Sequence, residues 1–214
     1  MPMCGGILHV STSGRYINLL YKNLVYYMED IMNTNSNKFK VIDMVYIAMM
    51  AVLIAICSWI YIPTAVPFTL QTFAVFCTVG LLGGKRGTIA VLIYILMGMV
   101  GIPVFQGFRG GIGELFGMTG GYIIGFLFLA ILYWVITQFF GSKLIPMVIA
   151  MVAGLMVCYT FGTLWFMYVY GNSVKPIGIV AALSMCVFPF VLFDLLKIAL
   201  AVIITKRLSK YVQR

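Results

Sequence analysis

Side chains that do chemistry in water are scarce in this sequence. Asp and Glu together number 5 in 214 residues, there is 1 His, and charged residues of both signs make up 9%, where a soluble domain carries about a quarter. The single histidine, His9, lies far from the cysteines at positions 57, 77, 158 and 186, and no two cysteines stand in a CxxC spacing. The chain therefore lacks the ligand clusters of a metal site, and no metal or cofactor is expected. It has no HExxH, no GxSxG and no pair of catalytic carboxylates. It also lacks a Walker A motif: GLLGGKR at 80–86 comes nearest, but it misses the spacing and has Arg86 where Ser or Thr is needed. The chain cannot energise transport with ATP by itself. An enzyme built on it, such as a small membrane acyl- or prenyl-transferase, would have to run on Asp194, Lys197 and little else.

What the sequence has in quantity is hydrocarbon. Hydrophobic residues reach 63% and mean hydropathy is +1.09, so the chain needs lipid as part of its solvent. The scarcity of acids leaves a net charge of +9. In a soluble protein that charge would suggest nucleic acid. Here the cations sit in short loops between apolar runs, where membrane orientation accounts for them and no nucleic-acid partner is expected. Six apolar segments follow one another, at 41–62, 68–82, 87–100, 119–140, 144–170 and 177–205. They predict an all-α integral membrane fold of six transmembrane helices. The second and third fall short of the ~20 residues that a lipid-facing span needs, so they cross with help from flanking residues or lie inside the bundle. Pro189 is placed to kink the sixth.

Orientation follows from Lys and Arg near the span ends. With the amino terminus inside, Lys38, Lys40, Lys85, Arg86, Lys143, Lys206, Arg207, Lys210 and Arg214 collect on the cytoplasmic side, against Arg109 and Lys175 outside. This bias predicts both termini in the cytoplasm and an even number of spans. Residues 1–40 mix Ser, Asn, Tyr and scattered charge without a periodic apolar face or a signal-peptide core. They read either as a disordered cytoplasmic extension or as a start assigned too early, with Met28 or Met32 as alternatives. Residues 41–206 form the membrane domain, and 207–214 a basic cytoplasmic tail.

Three features offer binding chemistry. Asp194 and Lys197 fall within the sixth apolar run, where a lone charge costs at least ~2.5–3.5 kcal/mol at the bilayer centre. Three residues apart, they share a helix face and partly neutralise each other. As a purely structural ion pair they would stabilise less than packed apolar residues, so they are read as a ligand site. Gln71, in VPFTLQTFAVF, offers both a donor and an acceptor to an amide-bearing ligand, or else caps its own helix with Thr69 and Thr72. The loop GIPVFQGFRGGIGELFGM at 101–118 carries six glycines, which let backbone N–H groups approach a ligand closely. Its apolar residues Val104, Phe105, Phe108 and Phe116 suggest that it packs into the mouth of the bundle. Within it Arg109 is either a carboxylate clamp or the ion-pair partner of Glu114; chemistry alone leaves both open.

The segments VPFTLQTFAVF (66–76), GLLGGKRGTIAVLIYILMGMVGIPVF (80–105), GGIGELFGMTGGYIIGF (110–126) and PFVLFDLLKIALA (189–201) together resemble the BioY family. These are the biotin-binding S components of energy-coupling factor transporters. The resemblance runs in order from about residue 41 to 206. It implies a six-helix S-component fold in the bacterial cytoplasmic membrane, with an outward-facing biotin pocket roofed by the 101–118 loop. It implies that Asp194 and Lys197 line that pocket, with Gln71, Arg109, Gly110, Gly111, Thr119 and Tyr122 near the ligand. Asp194 would accept from the ureido N–H groups. Lys197 would balance its charge or donate to the ureido oxygen, and Arg109 or loop N–H groups would take the carboxylate. Phe68, Phe105 and Tyr122 would supply an apolar wall. Two positions depart from the family pattern: Met118 stands where proline is common, and Leu192-Phe193 replaces a common Pro-Gly. The implied partners are a membrane coupling subunit, EcfT, and two ABC-type ATPases. An S component for another vitamin is the alternative function. In the first segment Ala48, Ala51 and Ala55 share a helix face. Spacing alone assigns that face to the chain's own bundle, whereas the resemblance implies that Ala51 and Ala55 dock the coupling subunit.

Overall fold

The computed structural model describes residues 41–63, 67–173 and 177–212. The expected extension at 1–40, together with Lys175 and Arg214, lies outside the described residues. The chain forms α1 (Val41–Trp59), a two-stranded ribbon of β1 (Tyr61–Ile62) and β2 (Phe68–Thr69), and then α2 (Gln71–Met99). A 3-10 turn at Gln106–Phe108 and the short α3 (Ile112–Phe116) lead into α4 (Gly120–Phe140) and α5 (Leu144–Ser173). The chain ends in α6 (Ile179–Cys186) and α7 (Phe188–Val212). Among the described residues five helices are long and apolar enough to cross a membrane: α1, α2, α4, α5 and α7.

Within α2 the two short predicted spans meet as a hairpin. Gly83 interrupts the helix with φ 77° and ψ 172°, a backbone conformation that L side chains rarely adopt. The chain reverses there. The Gln71 amide donates to the Tyr94 hydroxyl at 3.0 Å, although an unbroken helix would separate these residues by roughly 35 Å at 1.5 Å per residue. From Ala74 to Leu82 every residue is buried. A helix apolar all round belongs inside a bundle, so this short limb needs little contact with lipid.

The other helices close around that limb. α4 packs along α5, and both α4 and α7 pack against α2. Phe76, Val79, Val91, Tyr94, Leu129, Ala150, Met151 and Ala201 form the centre of the core, each 0% exposed. In lipid such a core is held by close van der Waals packing rather than by the exclusion of water. The sixth predicted segment divides in two. Val187 (φ −126°, ψ −58°) separates α6 from α7, and Pro189 falls in the first turn of α7. There its missing N–H breaks no helical hydrogen bond. α7 runs on through Lys206, Arg207 and Lys210 to Val212, so the stretch expected as a basic tail continues this helix.

The structure corrects the docking expectation for α1. Ala51 is 1% and Ala55 3% exposed, and both join the core cluster with Ile54. They face inward, so in this fold they leave no open face for a partner helix. The exposed side of α1 carries Met44, Val45, Met49, Val52 and Ile56 instead.

Candidate ligand-binding site

The most polar stretch of the interior lies where α7, α5, the start of α2 and the β ribbon converge. Asp194 and Lys197 are 4% and 5% exposed, one above the other on α7, with Lys197 Nζ 2.7 Å from Asp194 Oδ1. Sequence neighbours alone do not hold the pair. The ribbon, paired antiparallel with Tyr61 opposite Thr69, presents the Thr69 carbonyl, which accepts from Lys197 Nζ at 2.8 Å. Phe68, the adjacent residue, places its ring 3.9 Å below the same ammonium, a cation–π contact. From α5 the Tyr159 hydroxyl donates to Asp194 Oδ2. Each charge is thereby paired and hydrogen-bonded, which burial of ions requires.

The pair opens onto a cavity of about 650 Å³, counted with the solvent at its mouth. Gln71, Thr119 and Tyr122 line it with Asp194 and Lys197, so the structure brings together five of the eight expected ligand residues. Tyr122 is fixed by a 3.1 Å hydrogen bond shared with Thr163. Its ring also lies directly over Gly162, where any side chain would collide with it. Phe68, Phe126, Leu155 and Phe190 supply the apolar wall; Phe68 and Phe190 stack with centroids 5.7 Å apart. Such a site combines one buried anion, one buried cation, amide and hydroxyl groups and a broad apolar surface. That suits an uncharged, polar heterocycle joined to an apolar body.

The loop turns out differently from expectation. Arg109, Gly110 and Gly111 do not line the cavity. Arg109 is exposed and pairs with Glu114 at 3.8 Å, the structural one of its two readings. Gly110 abuts the Ile102 carbonyl, and the Gly111 N–H donates to the Gly98 carbonyl at 2.7 Å. These glycines let the loop fold back on the end of α2. Phe105 is buried against Gly98 and the Tyr94 edge, outside the cavity lining, while Val104 is buried and Phe108 and Phe116 are exposed. Gln106 is the loop residue that reaches the cavity. The loop is pinned by Ser58, which donates to the Val104 carbonyl at 2.6 Å, and by Trp59, which donates to the Pro103 carbonyl at 3.0 Å.

Sequence reasoning missed Tyr159, Gln106 and the Thr69 carbonyl. The carbonyl carries no sequence signal at all. Tyr159 stood in an apolar run among many aromatics, and only its position 35 residues before Asp194 in a packed bundle gives it a role.

The class is therefore that of a multi-pass membrane protein enclosing a small-molecule cavity between its helices. A family model described as the BioY family matches residues 32–214, and the chain belongs to the BioY family. A biotin transporter BioY of Thermotoga maritima is 39% identical over 160 residues, covering 74% of this chain and 90% of that protein. A probable biotin transporter BioY of Pyrococcus horikoshii is 39% identical over 147 residues, covering 67% and 81%. Biotin transporter BioY2 of Lactococcus lactis is 36% identical over 166 residues, covering 77% and 88%. Among solved structures, the S-component for biotin from an ECF-type ABC transporter matches with a TM-score of 0.73 at 29% identity. The match covers 82% of this chain and 94% of that one. By family and relatives the chain is a membrane transport protein, not an enzyme.

Proposed function

We propose that this protein captures biotin in the cavity at Asp194 and Lys197 for uptake into the cell, as the S component of an energy-coupling factor transporter. The observation that carries the reading is the buried Asp194–Lys197 pair at the polar end of an otherwise apolar cavity. Biotin has a ureido ring with two N–H donors and one carbonyl, a sulphur ring and an aliphatic tail ending in a carboxylate. Asp194 accepts from the ureido N–H groups, Lys197 donates to the ureido oxygen, and Phe68, Phe126 and Phe190 cover the sulphur ring. Arg109 is turned to Glu114, which leaves Gln106 and Thr119 for the carboxylate end. Names of the relatives support the ligand.

Energy comes from elsewhere, since the chain has no nucleotide-binding motif: a coupling subunit, EcfT, and two ABC-type ATPases supply it. The protein sits in the bacterial cytoplasmic membrane with six crossings. The reversal at Gly83 supports counting α2 as two of them, and the distribution of Lys and Arg supports both termini inside. A cysteine introduced at position 175 is then labelled by outside reagent and one at 143 is not; the reverse pattern ends this topology. Equilibrium binding to purified protein tests the ligand. Biotin binds, while riboflavin, thiamin and pantothenate do not. Binding of one of these in place of biotin overturns the assignment.

A further inference from the structure

Phe193 does not line the ligand cavity and is 53% exposed on α7. Exposure alone makes it one more lipid-facing side chain, like Leu192 beside it at 75%. Its ring contacts set it apart. Phe193, Asp194 and Lys197 follow Phe190 at three, four and seven residues, so the four form one stripe along the helix. Three of them meet a single side chain of the β ribbon, Phe68. Phe190 stacks on the Phe68 ring with planes 14° apart, and Phe193 meets the same ring at a centroid distance of 5.4 Å and an angle of 60°. Lys197 Nζ lies 3.9 Å from its centre. A parallel partner restrains a ring along its normal but lets it slide in its own plane, whereas a steeply tilted partner blocks the slide. Fixing Phe68 also fixes its neighbour Thr69, whose carbonyl accepts from Lys197 at 2.8 Å. A ribbon of two residues per strand is marginal by itself, and so depends on such side-chain packing for its place.

We propose that Phe193 is a positioning residue for the ligand site. From the outer surface of the bundle it holds the Phe68 ring, and through it the β ribbon, against the Asp194–Lys197 pair. It touches no ligand itself. Phe68 covers the ligand's apolar ring and sits against the ammonium, and Phe193 keeps Phe68 there before the ligand arrives. A Phe68 left free would have to be ordered as the ligand binds, which weakens binding. The inference rests on the assignment of the ligand cavity to biotin.

Biotin titration of the purified full chain, followed by calorimetry, tests it. Phe193→Ala weakens binding by roughly 3- to 10-fold, the loss of one aromatic pair, and Phe193→Tyr retains parental affinity. Leu192→Ala, which trims an exposed neighbour, keeps the parental Kd. In a Phe68→Leu background Phe193→Ala brings no further loss, because its partner is gone; a merely structural role would add its full effect there. Hydrogen exchange of the ligand-free protein reads the ribbon directly. In Phe193→Ala the Leu70 amide, which donates to the Ile60 carbonyl at 3.1 Å, exchanges faster, while α4 and α5 keep parental exchange. A parental Kd in Phe193→Ala, or an equal further loss in the Phe68→Leu background, overturns the proposal. A parent that binds no biotin overturns the cavity assignment instead, and exchange at Leu70 then decides whether Phe193 holds the ribbon.

Discussion

Replacing Asp194 by Asn keeps the shape of the side chain and removes its charge. In the parent, Oδ1 accepts from Lys197 at 2.7 Å and Oδ2 accepts from Tyr159. Asn offers one acceptor oxygen where two were used, and its NH2 group faces a donor. Lys197, 5% exposed, keeps the Thr69 carbonyl and the Phe68 ring, with at most a neutral amide oxygen in place of the carboxylate. Breaking a buried pair in this way costs about 3–5 kcal/mol of stability. A ligand bound through Asp194 also loses a charge-assisted hydrogen bond worth about 1.5–3 kcal/mol, or roughly 10- to 150-fold in affinity. The two losses separate in a double-mutant cycle. Asp194→Asn/Lys197→Met removes both charges, so thermal unfolding in detergent returns toward the parent midpoint. Biotin affinity, measured by calorimetry, stays low. Parental binding by a folded Asp194→Asn variant would refute the site. A double variant less stable than the single one would refute the account of the pair.

Tyr159→Phe removes the donor to Asp194 without opening a void, and biotin affinity falls by roughly 3- to 10-fold, the loss of one net hydrogen bond; an unchanged Kd shows that Tyr159 has no part in the site. Arg109→Ala removes an exposed cation outside the cavity lining, worth at most about 1 kcal/mol as a surface pair. Its biotin Kd stays within about 5-fold of the parent, and a larger loss in the same titration shows that the arginine reaches the ligand. Ala51→Trp drives an indole into a site with no free space and lowers stability by about 1–3 kcal/mol or more, read as the thermal midpoint. A parental midpoint shows that the residue faces outward.

The membrane class was legible because burial in lipid is a matter of composition and run length. Six apolar runs between turn residues are visible in the sequence. How two of them join is not. Residues 83–86 read as a connection between spans, and only the φ of 77° at Gly83 shows how one glycine reverses the chain. The break at Val187 was harder still, since the residue itself carries no signal and the proline that marks it lies two positions on. Ala51 and Ala55 show the limit of periodicity. Spacing of three and four says that small residues share a face, yet the neighbour that fills the space is decided by tertiary packing. Here that neighbour is the chain's own core.

At the candidate site the division is chemical. Asp194 and Lys197 stood out because a charge in an apolar run is expensive enough to demand a reason, and that argument needs no coordinates. Thr119 and Tyr122 could be singled out only with the help of a resemblance, and chemistry alone left Gln71 with two readings, because one amide, hydroxyl or phenol in a membrane span has many ways to be satisfied internally. Gln71 illustrates this: it lines the cavity, and its amide donates to Tyr94 rather than capping its own helix with Thr69 and Thr72. The Gly-rich loop misled for a related reason. Glycine permits close approach of backbone to anything, and in this fold the backbone approached is its own, at Gly98 and Ile102. Arg109 then finds Glu114 five residues along, and the loop's contribution to the cavity passes to Gln106. That residue's neutral amide costs little to expose in the sequence, and so it gave no warning of its position.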